Sequence, residues 1–194
     1  KVYVAFSGGR DSTVLIHMVR TLYPDVVAVF SNTGLEYPEI VKFAKSFDNV
    51  VEIRPEKNFR RVLMEDGFPI SSKKTADMLG RFKNPTDENF NTRRLYLTGY
   101  STRSGKYNKA SRIAKKWFPF LWSEVSLTES CCGHLKKNPM KKFQNDTGLK
   151  PFVGMRMGEG NNRDKTLKGR QCNIMKGSNL SSIPLKFWSD DDIQ

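Results

Sequence analysis

The chain has 194 residues, 38% of them hydrophobic, with 33 Lys and Arg against 20 Asp and Glu for a net charge of +13. No apolar run approaches the roughly 18 residues that span a bilayer, which excludes a membrane-spanning helix; the hydrophobic content excludes a disordered tail and leads us to expect a single domain over 1–194. The excess of positive charge points to an anionic partner such as a nucleotide, a nucleic acid or another phosphate-rich ligand.

Residues 2–6 form a short run of β-formers, and residues 12–22 carry Val14, Leu15, Met18, Val19 and Leu22 at helical spacing. This reads as strand, turn, helix. A second strand is expected at 26–30, a second helix at 37–47 with Pro38 in its first turn, and a third strand at 50–53. Such alternation implies an α/β fold, a Rossmann-like parallel sheet flanked by helices, with ligands beyond the carboxyl ends of the strands. The pattern weakens after Asn58. A helix is expected at 59–65, a mobile polar loop at 83–89 and a strand at 151–155, followed by a Gly- and Arg-rich loop. At 188–193 a helix opens just before the chain stops; with no Met or signal peptide before Lys1, further sequence is expected at both ends.

Residues 81–122 differ in composition, with ten Lys or Arg against Asp87 and Glu88, interleaved with nine aromatics. Tyr107, Ala110, Ala114 and Trp117 fall on one predicted helical face. Two readings stay open: a packed helix with a solvated basic back, and an anion-binding surface. The three cysteines, Cys131, Cys132 and Cys172, are too few and too odd in number for a disulfide framework, so a reducing cytosol is expected.

The strongest local feature is S-G-G-R-D-S at 7–12, between the first strand and the first helix. Its glycines let backbone approach a ligand, and the free amides and positive dipole end of a helix start attract an anion. Neither a Walker A loop nor G-x-G-x-x-G occurs.

This hexapeptide resembles the PP-loop of the adenine nucleotide alpha-hydrolase superfamily, and the chain is most similar to its phosphoadenosine phosphosulfate (PAPS) reductase family. S-N-T-G-L-E-Y-P-E at 31–39 sits where that family has D-T-G, and C-C-G-H-L-K-K-N-P at 131–139 resembles its C-x-x-L-K-x-x-P. G-M-R-M-G-E-G-N-N-R at 154–163 resembles G-x-R-x-x-E-S-x-x-R, and P-L-K-F-W-S at 184–189 resembles P-L-x-x-W-[ST]. The resemblance implies an adenine nucleotide held by Ser7, Gly8, Gly9, Arg10, Asp11, Ser12, Thr33, Gly34, Lys136, Arg156, Glu159 and Arg163. Arg10, Asp11, Arg156 and Arg163 would act on its phosphates, and Asp11 and Glu159 would hold Mg²⁺. Arg10 stands where the family often has Lys, Asn32 replaces the acid of D-T-G, Gly160 replaces Ser, and the reductases' E-C-G-L-H-type cysteine is absent from these residues. Some relatives carry a 4Fe-4S cluster on a C-C pair, so Cys131 and Cys132, with Cys172 or residues beyond the chain, are candidate ligands beside two other readings, a zinc site with His134 and inert buried thiols.

Three functions follow as expectations. The first is an ATP pyrophosphatase that activates an acceptor for sulfur transfer. The second is a sulfonucleotide (PAPS or APS) reductase. The third is a nucleic-acid-binding module with a vestigial nucleotide pocket; tRNA or DNA would meet the basic segment in that case, and also in the first if it is the acceptor.

Overall fold

The computed structural model describes residues 1–158, 167–169, 171–174 and 180–194. These form two compact units, one of residues 1–56 and 135–194, the other of residues 57–134.

The first unit is built on a sheet of six strands in the order β3-β2-β1-β4-β6-β5. Strands β1 (Val2–Phe6), β2 (Ala28–Ser31), β3 (Val50–Ile53), β4 (Lys150–Val153) and β6 (Ser181–Ser182) run parallel, and β5 (Asn173–Ile174) pairs antiparallel with β6. The expected α/β class is therefore the observed one. Val4 is in register with Ala28 on one side and Phe152 on the other. Being central, β1 is covered on both faces, so Tyr3 and Val4 are fully buried and the strand reads as a continuous apolar run.

Helix α1 (Arg10–Leu22) buries Leu15, Ile16 and Val19 against this sheet, each contributing roughly 1.5–3 kcal/mol. Helix α2 (Pro38–Lys45) starts on a proline, whose fixed φ suits a first turn, and buries Ala44. Helix α7 (Asn138–Thr147) was not legible from periodicity, although Pro139 near its start and left-handed Gly148 at its end mark both boundaries. Helix α8 (Asp190–Ile193) opens with a capping box between Ser189 and Asp192 at the expected place. The chain moves from β1 to β2 on one side, while β4 lies on the other. The crevice beyond the carboxyl ends of β1 and β4 is thus the switch point at which open α/β sheets bind ligands.

The second unit contains α3 (Phe59–Glu65), α4 (Lys73–Lys83), α5 (Phe90–Thr98) and α6 (Phe118–Trp122). Its core gathers Met78, Leu79, Phe82, Ile113 and Leu121. Asn58 and Ser72 cap α3 and α4 with side-chain oxygens. The 83–89 stretch begins on the last residue of α4; Asn89 then ties the loop, accepting from Thr86 N–H and donating to the Asn84 carbonyl.

The helical face expected from Tyr107 to Trp117 does not form. Two single 3₁₀ turns, Lys109–Ser111 and Lys115–Trp117, are separated by extended Arg112. Burial of Ile113 decides the matter: its N–H donates to the Tyr96 carbonyl at 2.8 Å and its side chain is 3% exposed, which an uninterrupted helix on the other stripe would not achieve. Among the described residues no helix is long and apolar enough to cross a membrane.

Candidate functional site

The loop after β1 carries the expected S-G-G-R-D-S residues into α1. Gly8 has φ +72°, and a Cβ there would sit 2.9 Å from Ile40 Cγ2, so both the turn and the packing of α2 require glycine. The Ser12 hydroxyl donates to the Gly9 carbonyl at 2.8 Å and accepts the Ser7 N–H at 3.2 Å; the Ser7 hydroxyl accepts Gly9 N–H at 3.4 Å. Both serine side chains thus clasp the loop from within. The amides of Gly8, Arg10 and Asp11 have no acceptor among the described residues, which is the usual state of donors at a helix start and the basis of an anion seat.

Arg156 comes from the segment after β4. Gly154 favours this close approach, because a Cβ at that position would lie 3.3 Å from the Asp11 carbonyl oxygen and the start of α1 would have to give by a few tenths of an ångström. The Arg156 side chain is 5% exposed, with Nε 3.1 Å from Asp11 Oδ2 and Nη2 2.8 Å from Asp190 Oδ1. Arg10 Nη2 reaches the same Asp190 oxygen at 3.1 Å. Two guanidiniums therefore share one carboxylate at the mouth of the crevice. Arg156 foremost, and Arg10 after it, hold the Asp190 carboxyl below the usual carboxylate range, while Asp190 and Asp11 raise the pKa of Arg156. Asp190 escaped the sequence reading, which saw only a helix start at 188–193. The available signal was a D-D-D run in a strongly basic chain.

After β2, Thr33 is 4% exposed, and both its N–H and its hydroxyl donate to the Glu36 carboxylate. Asn32 accepts Gly34 N–H at 3.0 Å through Oδ1 and donates through Nδ2 to Glu52 at 2.9 Å. Glu52 also accepts from Lys45 at 2.7 Å and Arg54 at 2.9 Å, and these donors, Lys45 first and Asn32 second, pull its carboxyl down to about 2. The amide at position 32 is thereby explained: an aspartate there would face the Glu52 carboxylate. Beside the turn, an open groove of about 710 Å³ is lined by Asn32, Gly34, Glu36, Val41, Lys42 and Lys45. Lys136 is exposed, next to Leu135, whose carbonyl lies 3.4 Å from the Ser31 hydroxyl at the end of β2. The first unit thus brings together Ser7 to Ser12 with Arg156, and sets Thr33, Gly34 and Lys136 at the end of neighbouring β2. Glu159 and Arg163 lie outside the described residues.

Asp11 Oδ1 has no partner among the described residues, so one carboxylate oxygen is available to Mg²⁺, an ion that takes one or two carboxylates and completes its shell from phosphate and water. Cys131, Cys132 and Cys172 are half-buried free thiols. Among the described residues no group of three or more His, Cys, Asp or Glu is placed to hold a metal ion, and three cysteines alone do not supply the four thiolates of a cluster.

A parallel sheet whose switch point carries a glycine loop opening a helix, flanked by two arginines, defines a nucleotide-binding α/β unit of the PP-loop kind. Residues 1–76 match the family described as phosphoadenosine phosphosulfate reductase domain, a member of the PP-loop adenine nucleotide alpha-hydrolase superfamily. The likenesses at 131–139, 154–163 and 184–189 lie beyond the matched span. The chain is also similar to two proteins of Methanocaldococcus jannaschii. The uncharacterized protein MJ0973 is 22% identical over 130 residues, 65% of this chain and 32% of that protein. The uncharacterized protein MJ0066 is 32% identical over 124 residues, 59% of this chain and 25% of that protein. The chain thus spans about a third and a quarter of these curated relatives.

Proposed function

We propose that the protein binds an adenine nucleotide in the crevice beyond β1 and β4 and cleaves ATP between its α- and β-phosphates. An acceptor atom attacks the α-phosphorus, the bond to the bridging oxygen breaks, and pyrophosphate leaves with the electron pair; a sulfur nucleophile then displaces AMP from the activated acceptor. The observation that carries this reading is the placement of the Gly8, Arg10 and Asp11 amides, which have no acceptor among the described residues, beside Arg10 and Arg156 on a shared Asp190. Phosphate oxygens compete with Asp190 for the two guanidiniums, which offer fork-shaped donors where charge develops on the departing group. Asp11 would hold Mg²⁺ together with the nucleotide's own oxygens, and the bound ion would add to the neutralisation of that charge. The groove along α2 has the size of a small-molecule site and suits the nucleoside end.

The test is product analysis with α-labelled ATP and Mg²⁺, run beside a PAPS arm. AMP plus pyrophosphate, reduced by two or more orders of magnitude in Asp11→Asn, is the expected result. Intact ATP together with reduction of the sulfonucleotide to sulfite by a supplied thiol moves the assignment to a reductase, the reading favoured by the family description itself.

A further inference from the structure

Because no continuous helix forms over residues 107–117, Tyr107 is not packed into a core. Instead, residues 99–108 fold back as a hairpin: Ser101 N–H donates to the Lys106 carbonyl at 3.0 Å, Gly105 N–H to the Ser101 carbonyl at 2.8 Å and Asn108 N–H to the Gly99 carbonyl at 2.8 Å. Tyr100 and Tyr107 bridge across it, their ring centroids 5.1 Å apart, and are 55% and 49% exposed. Two large aromatic rings held against each other on a tight turn and left half in water present a paired apolar face to solvent.

The charge of the sequence on either side of them is one-sided. From residue 89 to residue 123 there is no Asp or Glu, while eight Lys or Arg occur. Arg103 and Lys106 sit in the hairpin turn, and Lys109 and Lys115 follow it. None of these four side chains bonds to a group among the described residues, and of the basic residues in 81–122 only Arg81 pairs with a carboxylate there. Solvated lysines alone would be a bland surface. Unpaired cations flanking a rigid pair of exposed rings match the two requirements of single-stranded nucleic acid: phosphates along one edge, and unstacked bases with faces to cover. A duplex hides its base faces and has no use for the rings.

We propose that the 99–108 hairpin is a docking platform for single-stranded nucleic acid, with Tyr100 and Tyr107 stacking on bases and Arg103, Lys106, Lys109 and Lys115 meeting the backbone. This goes beyond the nucleotide site and does not depend on it. It is tested by fluorescence anisotropy with labelled dT20, rU20 and a 20-base-pair duplex across a salt series. A single strand, in the deoxy or ribo form, binds at least tenfold tighter than the duplex. Arg103→Glu/Lys106→Glu weakens that binding at least tenfold and reduces the slope of log K against log salt by about 1.4, from roughly 0.7 per phosphate contact. Lys137→Glu/Lys141→Glu, an equal charge change on exposed residues of the other unit, moves it by less than threefold. Tyr100→Leu keeps apolar bulk but loses stacking and costs about tenfold, and Tyr100→Phe restores it. Tyr107 is left intact because its ring packs where a Cβ on Gly99 would lie, within 2.6 Å. Equal affinity for duplex and single strand, or equal losses in the two charge-swap variants, overturns the proposal.

Discussion

Glu52→Gln isolates the polar network that holds the turn after β2. The substitution keeps the shape of the side chain and removes the charge that Lys45, Asn32 and Arg54 bind. The carboxyl titrates at about 2 in the folded chain against an ordinary 4.5. That gap corresponds to about 3 kcal/mol as an upper bound. Lys45 and Arg54 are 51% and 73% exposed, and solvent screening lowers the figure to about 1–2 kcal/mol. The sign follows from the folded group being the stronger acid: its contribution is complete above pH 4.5 and is lost as pH falls toward 2. Urea unfolding of both proteins therefore shows wild type more stable by about 1–2 kcal/mol at pH 7, with the two converging as the pH is lowered from 5 to 3. A gap that is unchanged with pH, or absent at pH 7, refutes the assignment of the network as a charged one.

Asn32→Asp places a second carboxylate against Glu52 and lowers stability by about 1–2 kcal/mol; the double variant Asn32→Asp/Glu52→Gln recovers most of that loss in the same unfolding assay. Arg156→Lys keeps the charge but does not reproduce contacts to both Asp11 and Asp190, so ATP binding measured by calorimetry weakens about tenfold or more while the melting temperature falls only modestly. Gly154→Ala pushes a methyl to 3.3 Å from the Asp11 carbonyl, costing about 1–3 kcal/mol in thermal unfolding and disturbing the amides that open α1.

The first third of the chain was legible because a parallel sheet covered on both faces needs unbroken apolar strands, and because α1 buries one stripe at a period of 3.6. Strand and helix boundaries there differ from expectation by only a few residues. Beyond α3, which forms at the expected 59–65, the second unit hid itself for a physical reason. Its core joins Met78, Leu79 and Phe82 from α4 with Ile113 from between two 3₁₀ turns and Leu121 from α6, so no single period runs through the segment, and the helical spacing of Tyr107, Ala110, Ala114 and Trp117 is coincidental. In the site, Gly8 and Gly9 were readable because loop chemistry is local. Asp190 and Glu52 were not, because their meaning lies in partners 34 and 20 residues away, Arg156 and Asn32.

The central claim is that the loop of residues 7–12 seats the phosphates of an adenine nucleotide, and an amide-resolved NMR titration with ATP tests it most directly. The seat predicts saturable shifts of the Gly8, Gly9, Arg10 and Asp11 amides together with the Arg156 side chain, reproduced in part by pyrophosphate alone. ATP that leaves these resonances unmoved, or that shifts residues elsewhere while the loop stays still, would contradict it.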